Sequence, residues 1–499
     1  MDQSMVMVGL ENVLSLTNIL AICIGTLLGL FVGAMPGLSA TMALALLLPL
    51  TFSFPPATGL SMMASLYLAA MYGGSVAAIL LRTPGTPAAA ATVLDGYPMA
   101  EQGKAGRALG ISLTASLVGG VLSGFALLTI APLLGKIVLE FGPVELFAIA
   151  VLGIAIIGSL SQGSAVKGLF SGALGLLLAM IGMDPTTGTP RFTMDNINLF
   201  SGIPFTVALI GLFSVPQAIR LIQESGETKK VVSKIKDRLL PPLPDFIRLL
   251  PNMLRSSVIG ILTGLIPGTG GDTASWFAYN EAKRFSKDPK SFGGGNPAGI
   301  AAAESANNAV VGGALVPTIA LGIPGSSSAA VLLGGLMVHG ILPGPTLMTE
   351  YGDVTYTLIW AVIFANVALF VLGMAFTRLC VYVTQVPNLV VAPVIIVLCV
   401  IGSFAINNNM FDVYLMLAFG FLGYIFDRLN IPPAPMVIGL ILGHLLDMSL
   451  NQSLLIGQGS WGVFLDSPIA ATLLAIAAFT ILQSTPLFGW IRRSLFRRA

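Results

Sequence analysis

Charge is what this chain has least of. Only 9% of its 499 residues are Asp, Glu, Lys or Arg, against about 25% in an average soluble domain. The 24 basic and 22 acidic residues nearly cancel, at a formal +2. That balance offers no basic field for a nucleic-acid backbone, and no nucleic-acid partner is expected. Cysteine is also scarce. Cys23, Cys380 and Cys399 each lie in apolar sequence without metal or redox spacing, which excludes a disulfide framework and reads as small buried hydrophobes. The two histidines, His339 and His444, are isolated, with no metal spacing and no nucleophile near them. No phosphate loop, zinc motif or hydrolase elbow occurs, so no metal, no cofactor and no enzyme activity are expected. The first basic residue is Arg82, and only Asp2 and Glu11 are charged before it. Residues 1–34 thus lack the basic start of a signal peptide, and Ala34-Met35-Pro36 is a poor cleavage site. They are read as the first membrane element.

Apolar residues are abundant. They make up 55% of the chain, and the mean hydropathy is +0.90. Apolar runs recur from end to end. At roughly 20 residues per crossing they predict an all-α polytopic membrane protein with roughly ten to twelve spans in a lipid bilayer. Several runs are too short to cross, and these flank Pro-Gly pairs. They are read as half-helices or re-entrant hairpins.

The Pro-Gly pairs recur. Gly33-Ala34-Met35-Pro36-Gly37-Leu38-Ser39 is matched by Gly264-Leu265-Ile266-Pro267-Gly268-Thr269-Gly270, offset by 231. Gly73-Gly74 leads to Thr83-Pro84-Gly85-Thr86, as Gly312-Gly313 leads to Ile323-Pro324-Gly325-Ser326, offset by 240 at the second break. Pro143 and Pro387, then Gly158-Ser159 and Gly402-Ser403, continue the match at offset 244. Two structural repeats are therefore expected, at 1–222 and 252–450. A basic cytoplasmic linker, 223–251, separates them. An extra C-terminal helix with an Arg-rich tail occupies 451–499. The stretch 220–255 holds eight basic and four acidic residues, and its Lys/Arg excess marks the cytoplasmic side. The loop after the first break, Phe52 to Gly59, has no charge, whereas its counterpart reads Lys283-Arg284-Phe285-Ser286-Lys287-Asp288-Pro289-Lys290. Opposite charge character at matching loops predicts inverted repeats.

Broken helices at matching places in two halves point to a transporter's binding site. An N-terminal half-helix end offers free N–H groups and the positive end of the dipole to an anion. Proline lacks the N–H, and glycine permits positive φ and close backbone approach. The expected substrate cradle is Pro36, Gly37 and Ser39; Thr83, Pro84, Gly85 and Thr86; Pro267, Gly268, Thr269 and Gly270; and Pro324, Gly325, Ser326 and Ser327. Arg82, whose counterpart is Gly322, is a candidate bidentate partner for a carboxylate. It is equally suited to anchor at the interface or to bind a lipid phosphate. Asn307 and Asn308 lie in a run of small residues. They serve either as helix–helix contacts or as cavity-facing ligands. Asp272 and Glu304 flank the second half's breaks and are candidates for a coupling Na+ or H+, or else structural acids.

As a set these segments, with Tyr72-Gly73-Gly74-Ser75 and Thr86-Pro87, resemble the large membrane subunit of the tripartite tricarboxylate transporters, the TctA type. The resemblance covers nearly the whole chain. It implies a multi-pass protein of the bacterial inner membrane that imports citrate-like carboxylates by a cation gradient and not by ATP. It also implies two partners, a small four-helix membrane subunit and a periplasmic substrate-binding protein. It carries no assignment of substrate contacts. The alternatives are a stand-alone organic-anion carrier, a channel, which would want a ring of charges or carbonyls around a pore, and a membrane-embedded enzyme. The duplicated breaks argue against the last, because a catalytic centre seldom needs two copies of one broken-helix pair.

Overall fold

A computed structural model describes residues 3–159, 164–184, 187–223, 235, 237–383 and 386–484. Lys229, Lys230, Lys234 and Lys236 of the linker and the Arg-rich tail lie outside the described residues. In chain order the helices are α1 (Gln3–Val13), α2 (Leu16–Ala34), α3 (Ala40–Thr51), α4 (Pro56–Leu81), α5 (Ala90–Glu101), α6 (Ala105–Val138), α7 (Pro143–Ser159), α8 (Ala165–Ala179), α9 (Phe205–Leu209) and α10 (Val215–Gln223). They continue as α11 (Leu243–Leu265), α12 (Gly270–Arg284), α13 (Pro297–Leu321), α14 (Ser327–Val338), α15 (Gly352–Val383), α16 (Asn388–Asn407), α17 (Met410–Arg428), α18 (Ala434–Ile456), α19 (Val463–Asp466) and α20 (Pro468–Ser484). A π-helical turn, Ile210–Ser214, joins α9 to α10. One short antiparallel pairing, Gly182–Met183 with Pro190–Arg191, is the strand structure among the described residues.

Eight helices among the described residues are long and apolar enough to cross a bilayer. This is fewer than the roughly ten to twelve crossings expected from run length. Helices α7, α8 and α20 have only 17, 15 and 17 residues. Helix α13 is long enough at 25 residues, but it carries Glu304, Ser305, Asn307 and Asn308. It is a buried helix with a polar side, not a lipid-facing one.

The chain forms two compact units. One comprises Met1–Gly135 and Gln217–Gly402; the other comprises Lys136–Pro216 and Ser403–Ala499. Each unit draws on both halves of the sequence.

In the first unit, two glycine seams set the packing. A Cβ at Gly25, Gly29 or Gly33 of α2 would lie 2.3–2.4 Å from the carbonyl oxygens of Met62, Leu66 and Ala70 on α4. Only glycine permits that approach, the small-residue contact typical of helices in lipid. Both sequences advance together, so α2 and α4 run parallel. The short α3 between them must return the chain to the level where α4 begins, and α2–α3 is a helical hairpin. The second half repeats this geometry. A Cβ at Gly260 or Gly264 of α11 would lie 2.4 and 2.7 Å from the carbonyl oxygens of Ala306 and Val310 on α13, and α12 is the returning arm. The described end of the linker is docked on this unit. Asp237 accepts from the backbone N–H of Gly106 and Arg107 at 2.7 and 2.8 Å, capping α6, and Arg107 pairs with Asp245 at 2.5 Å.

In the second unit, α8 lies beside α18 and α17 beside the π-helical turn. Gly172 meets Pro435 and Gly439, while Ala179 meets Gly443, so α8 and α18 are parallel. Gly211 meets Met416 and Phe419, while Pro216 meets Gly423, so α17 runs with the α9–α10 span. The Pro190–Arg191 hairpin arm is pinned to α18 by an Arg191–Asp447 ion pair at 2.5 Å. This pairing keeps the guanidinium charged and raises its pKa further. Helix α20 packs on α7, with Phe147 and Phe464 stacked at 4.8 Å nearby.

Candidate functional site

All four Pro-Gly breaks lie in the first unit, and the chain geometry at matching breaks is nearly the same. Helix α2 ends at Met35 with φ −89°, ψ 117°, and α11 ends at Ile266 with φ −87°, ψ 113°. Gly37 and Gly268 then take φ +89° and +85°, which a β-carbon would disfavour. Helix α4 ends at Arg82 in the left-handed region, φ 57°, and α13 ends at Gly322, φ 70°.

After α4 the chain doubles back. Gly85 donates its N–H to the carbonyl of Gly74 at 3.1 Å. Gly74 lies seven residues before the end of α4, which is about 10 Å of helix rise. A Cβ on Gly85 would lie 2.2 Å from the Gly33 oxygen, and one on Gly33 would lie 2.9 Å from the Gly73 Cα. The end of α2, the Gly73-Gly74 pair and Gly85 therefore share one level. The second half does the same: a Cβ on Gly325 would lie 2.6 Å from the Ala314 Cα and 2.7 Å from the Gly264 oxygen. Gly268 donates its N–H to the Gly325 carbonyl at 3.0 Å, joining the third break to the fourth.

Contacts also cross between the halves. Thr41, in the first turn of α3, lies 3.1 Å from the Ser327 hydroxyl and 2.9 Å from that of Ser328, in the first turn of α14. Tyr67 of α4 bonds the Ser326 hydroxyl at 2.9 Å. On the other diagonal, Gly271 at the start of α12 abuts Met71, Asn307 and Ala88, the last just beyond the second break. Asn307 donates to the Met71 carbonyl at 3.3 Å. The starts of α3, α12 and α14 and the turn leading into α5 thus converge.

The break hydroxyls are used in different ways. Ser39 and Ser326 cap their own helices, accepting from Met42 and Ala329 at 3.1 Å each. Thr269 caps backwards, donating to the Thr263 and Ile266 carbonyls at the end of α11. Thr83 donates to the Leu81 carbonyl at 3.3 Å. Thr86 is buried, and its hydroxyl has no partner. Pro36, Gly37, Ser39, Thr83, Pro84, Pro267, Gly268, Thr269, Gly270, Asp272 and Ser327 are partly accessible, whereas Pro324, Gly325 and Ser326 are buried.

The remaining sequence candidates separate. Asp272 sits in the first turn of α12 and accepts its own backbone N–H and that of Thr273, a helix-start carboxylate in its favoured place. Asn307 and Asn308 are fully buried; the Asn307 oxygen and both amide atoms of Asn308 are unpartnered. Glu304 is fully buried, bonded through one oxygen to the Thr92 hydroxyl of α5, its other oxygen unpartnered. Arg82 is not brought to the convergence. It is exposed, with its guanidinium 5.6 Å over the Tyr97 ring.

Thr41, Tyr67 and Asp95 are absent from the sequence-derived set. Carrying the repeat offsets one step further finds two of them. Thr41 corresponds to Asp272 at offset 231, and Tyr67 to Asn307 at offset 240. No repeat signal marks Asp95, whose counterpart is Gly335. Its fully buried carboxylate accepts the backbone N–H groups of Gly293, Gly295 and Asn296 at 2.8–2.9 Å and the Tyr279 hydroxyl at 2.9 Å. It ties α5 to the loop that precedes α13.

Many apolar helices long enough to cross a bilayer define a multi-pass membrane protein. The chain belongs to the tripartite tricarboxylate transporter TctA family, whose model matches residues 19–438. It is a transporter component and not an enzyme, the large subunit of a system with partner subunits. Two relatives from Agrobacterium vitis match it. An uncharacterized 52.8 kDa protein in the TAR-I ttuC' 3'region is 37% identical over 468 residues, covering 94% of this chain and 93% of that protein. An uncharacterized protein in the TAR-II ttuC' 3'region is 36% identical over 223 residues, covering 45% of this chain and 92% of that protein. No solved structure matches the chain.

Proposed function

We propose that the converging helix starts form the anion site of a secondary active importer of citrate-like tricarboxylates or related organic anions, in the bacterial inner membrane. The observation that carries this reading is the joining of all four breaks. Gly268 bonds Gly325, Thr41 bonds Ser327 and Ser328, and Gly271 meets Ala88. Several helix starts aimed at one place supply N–H groups and dipole ends to a multiply charged carboxylate without a buried basic residue. The family supports the tricarboxylate class.

Transport is driven by Na+ or H+, with Asp272 and Glu304 as the acids that bind the coupling ion. A periplasmic binding protein delivers substrate, and a small four-helix membrane subunit completes the complex. The two halves are inverted repeats. In support, α8 and α18 are parallel, as are α17 and the α9–α10 span. The five residues between α17 and α18 require those two helices to run antiparallel. Helix α8 and its counterpart α17 then run in opposite directions, as an inversion demands.

The test is uptake of labelled citrate, with unlabelled di- and tricarboxylates as competitors, by the complex in proteoliposomes under Na+ or pH gradients. Gradient-driven uptake that is lost in Gly268→Val and indifferent to ATP is the expected result. Undiminished uptake by Gly268→Val at normal expression refutes the site.

A further inference from the structure

We propose that Glu304 is the proton-binding residue of this transporter, holding the co-transported proton while α5 is docked on α13; this rests on the transport reading above. Glu304 lies in the interior of α13 and is fully buried. One carboxyl oxygen accepts from the Thr92 hydroxyl; the other has no partner. One turn further along the helix, the side-chain oxygen of Asn307 is also unpartnered. Its orientation is set, because the amide nitrogen donates to the Met71 carbonyl. Asn307, Ser112 and Ser116 lie around the carboxyl, yet its second oxygen is left without a hydrogen bond. A buried acceptor without a donor is costly, and a buried unpaired carboxylate costs far more. A proton on Glu304 removes the charge and supplies a donor in a place where the Ser116 hydroxyl and the Asn307 oxygen are also without partners.

The surroundings favour a proton over a metal cation. Thr92 touches the carboxyl directly, and Ser112 of α6 is already bonded to Ser75 at 2.6 Å. Among the described residues no group of three His, Cys, Asp or Glu gathers to hold a metal ion. The elements packed around α13 present no basic group to Glu304. Helix α5 brings Thr92 and Asp95, the latter saturated by Tyr279 and three backbone N–H groups. Helix α6 brings Ser112 and Ser116. Helix α12 brings Tyr279 and Asp272, and α4 brings Tyr67 and Tyr72. Arg255 of α11 lies 5.0 Å over the Phe285 ring. Among the described residues no Lys, Arg or His forms an ion pair with Glu304. Because Thr92 belongs to α5, undocking that short helix both removes its hydroxyl and admits water. The carboxyl then ionises, so proton release is tied to movement beside the second break.

The experiment compares the wild-type complex with Glu304→Gln, whose amide reproduces the donor of the neutral acid, and with Thr92→Val. In proteoliposomes an inward proton gradient should drive citrate uptake by the wild type, with alkalinisation of the medium. Glu304→Gln should still exchange internal for external citrate but lose the response to the proton gradient. Thr92→Val should move the half-maximal pH upward, because the ionised form loses the donor that touches it. Infrared spectra should show a protonated-carboxyl band in the wild type that vanishes in Glu304→Gln. Proton-driven accumulation by Glu304→Gln, an unshifted profile in Thr92→Val, or wild-type uptake driven by Na+ without proton movement each overturns the proposal. A wild type that neither exchanges nor accumulates any carboxylate refutes the transport reading itself, a separable outcome.

Discussion

A single methyl group at Gly85 tests the way the breaks are held. In Gly85→Ala the new carbon would lie 2.2 Å from the Gly33 oxygen, 2.8 Å from the Gly74 Cα and 3.3 Å from the Ala77 Cβ. Carbon atoms settle at about 3.5–4.0 Å, so one side must move by roughly 1 Å. The two closest obstacles are backbone, and α2 cannot slide from α4 without opening the seam at Gly25, Gly29 and Gly33. Overpacking of this kind costs about 1–3 kcal/mol. Shifting the 82–86 segment instead breaks the bond from Gly85 to the Gly74 carbonyl, leaving a buried donor unpaired at about 1–3 kcal/mol. Either route costs about 1–3 kcal/mol, enough to unseat the second break or to destabilise the unit measurably.

Gly37→Ala is the contrast. Its nearest neighbours are the ends of flexible side chains, Leu221 at 3.2 Å and Gln217 at 3.3 Å. Its cost is then mainly the strain of positive φ, about 1–2 kcal/mol. Gly103→Ala, with nothing within 4 Å, controls for that strain alone. Melting of the purified complex in detergent, alongside carboxylate uptake, separates the three. Gly85→Ala should be lowest in both, and Gly325→Ala should match it, because the same overlaps recur there with Ala314 and Gly264. A Gly85→Ala protein that melts and transports like the wild type would refute the close convergence of the breaks.

Gly37→Val should abolish uptake with insertion intact, because its branched side chain resists positive φ and fills the approach to the first break; uptake at wild-type rate counts against it. Thr41→Val removes the hydroxyl that bridges α3 to Ser327 and Ser328, and should raise the KM for substrate several-fold more than it lowers kcat. Asp95→Ala removes the acceptor of three backbone donors in the loop before α13 and should lower the melting temperature more than Asp95→Asn, which keeps one acceptor. Asp272→Asn should alter the dependence of uptake on Na+; an unchanged dependence moves any Na+ site to hydroxyls and carbonyls. The purified chain alone should transport poorly, and adding its binding protein and small subunit should restore high-affinity uptake; high affinity in the single chain would favour a stand-alone carrier.

The breaks were legible in the sequence because glycine and proline act through the backbone. Pro36-Gly37 and Pro267-Gly268 end helices wherever they occur, and the spacing to Gly73-Gly74 and Gly312-Gly313 reveals which helix receives the close contact. What the sequence did not disclose was direction and partner. Nothing in Phe52–Gly59 says that α4 runs parallel to α2, although the glycine ladder at 25, 29 and 33 carries that information once its partner carbonyls are known. For Arg82 the sequence left a ligand role and an interface anchor open. Its position just before Thr83-Pro84 suggested a ligand-facing charge, but the left-handed turn directs its side chain outward over Tyr97. The interleaving of the two units was also hidden, since it depends on α8 choosing α18 and not a neighbour in sequence.

The asymmetry between the halves is as informative as their match. Where the fourth break meets the first half, Thr41, Tyr67, Ser326, Ser327 and Ser328 bond one another and fill their own requirements. On the opposite diagonal the corresponding positions are Asp272, Asn307, Thr86, Pro87 and Ala88. There the Thr86 hydroxyl and the Asn307 oxygen are buried without partners. A purely structural duplication would have no reason to keep unpaired acceptors in one copy while the other copy uses hydroxyls that satisfy each other. Unpaired buried groups persist when they are paired in another state or by another species. The self-satisfied diagonal is suited to hold the breaks together, and the unsatisfied one is suited to exchange a proton or a ligand between states. On the transport reading proposed above, a division of labour between the two matching pairs of breaks accounts for why the position matching Glu304 is Ala64.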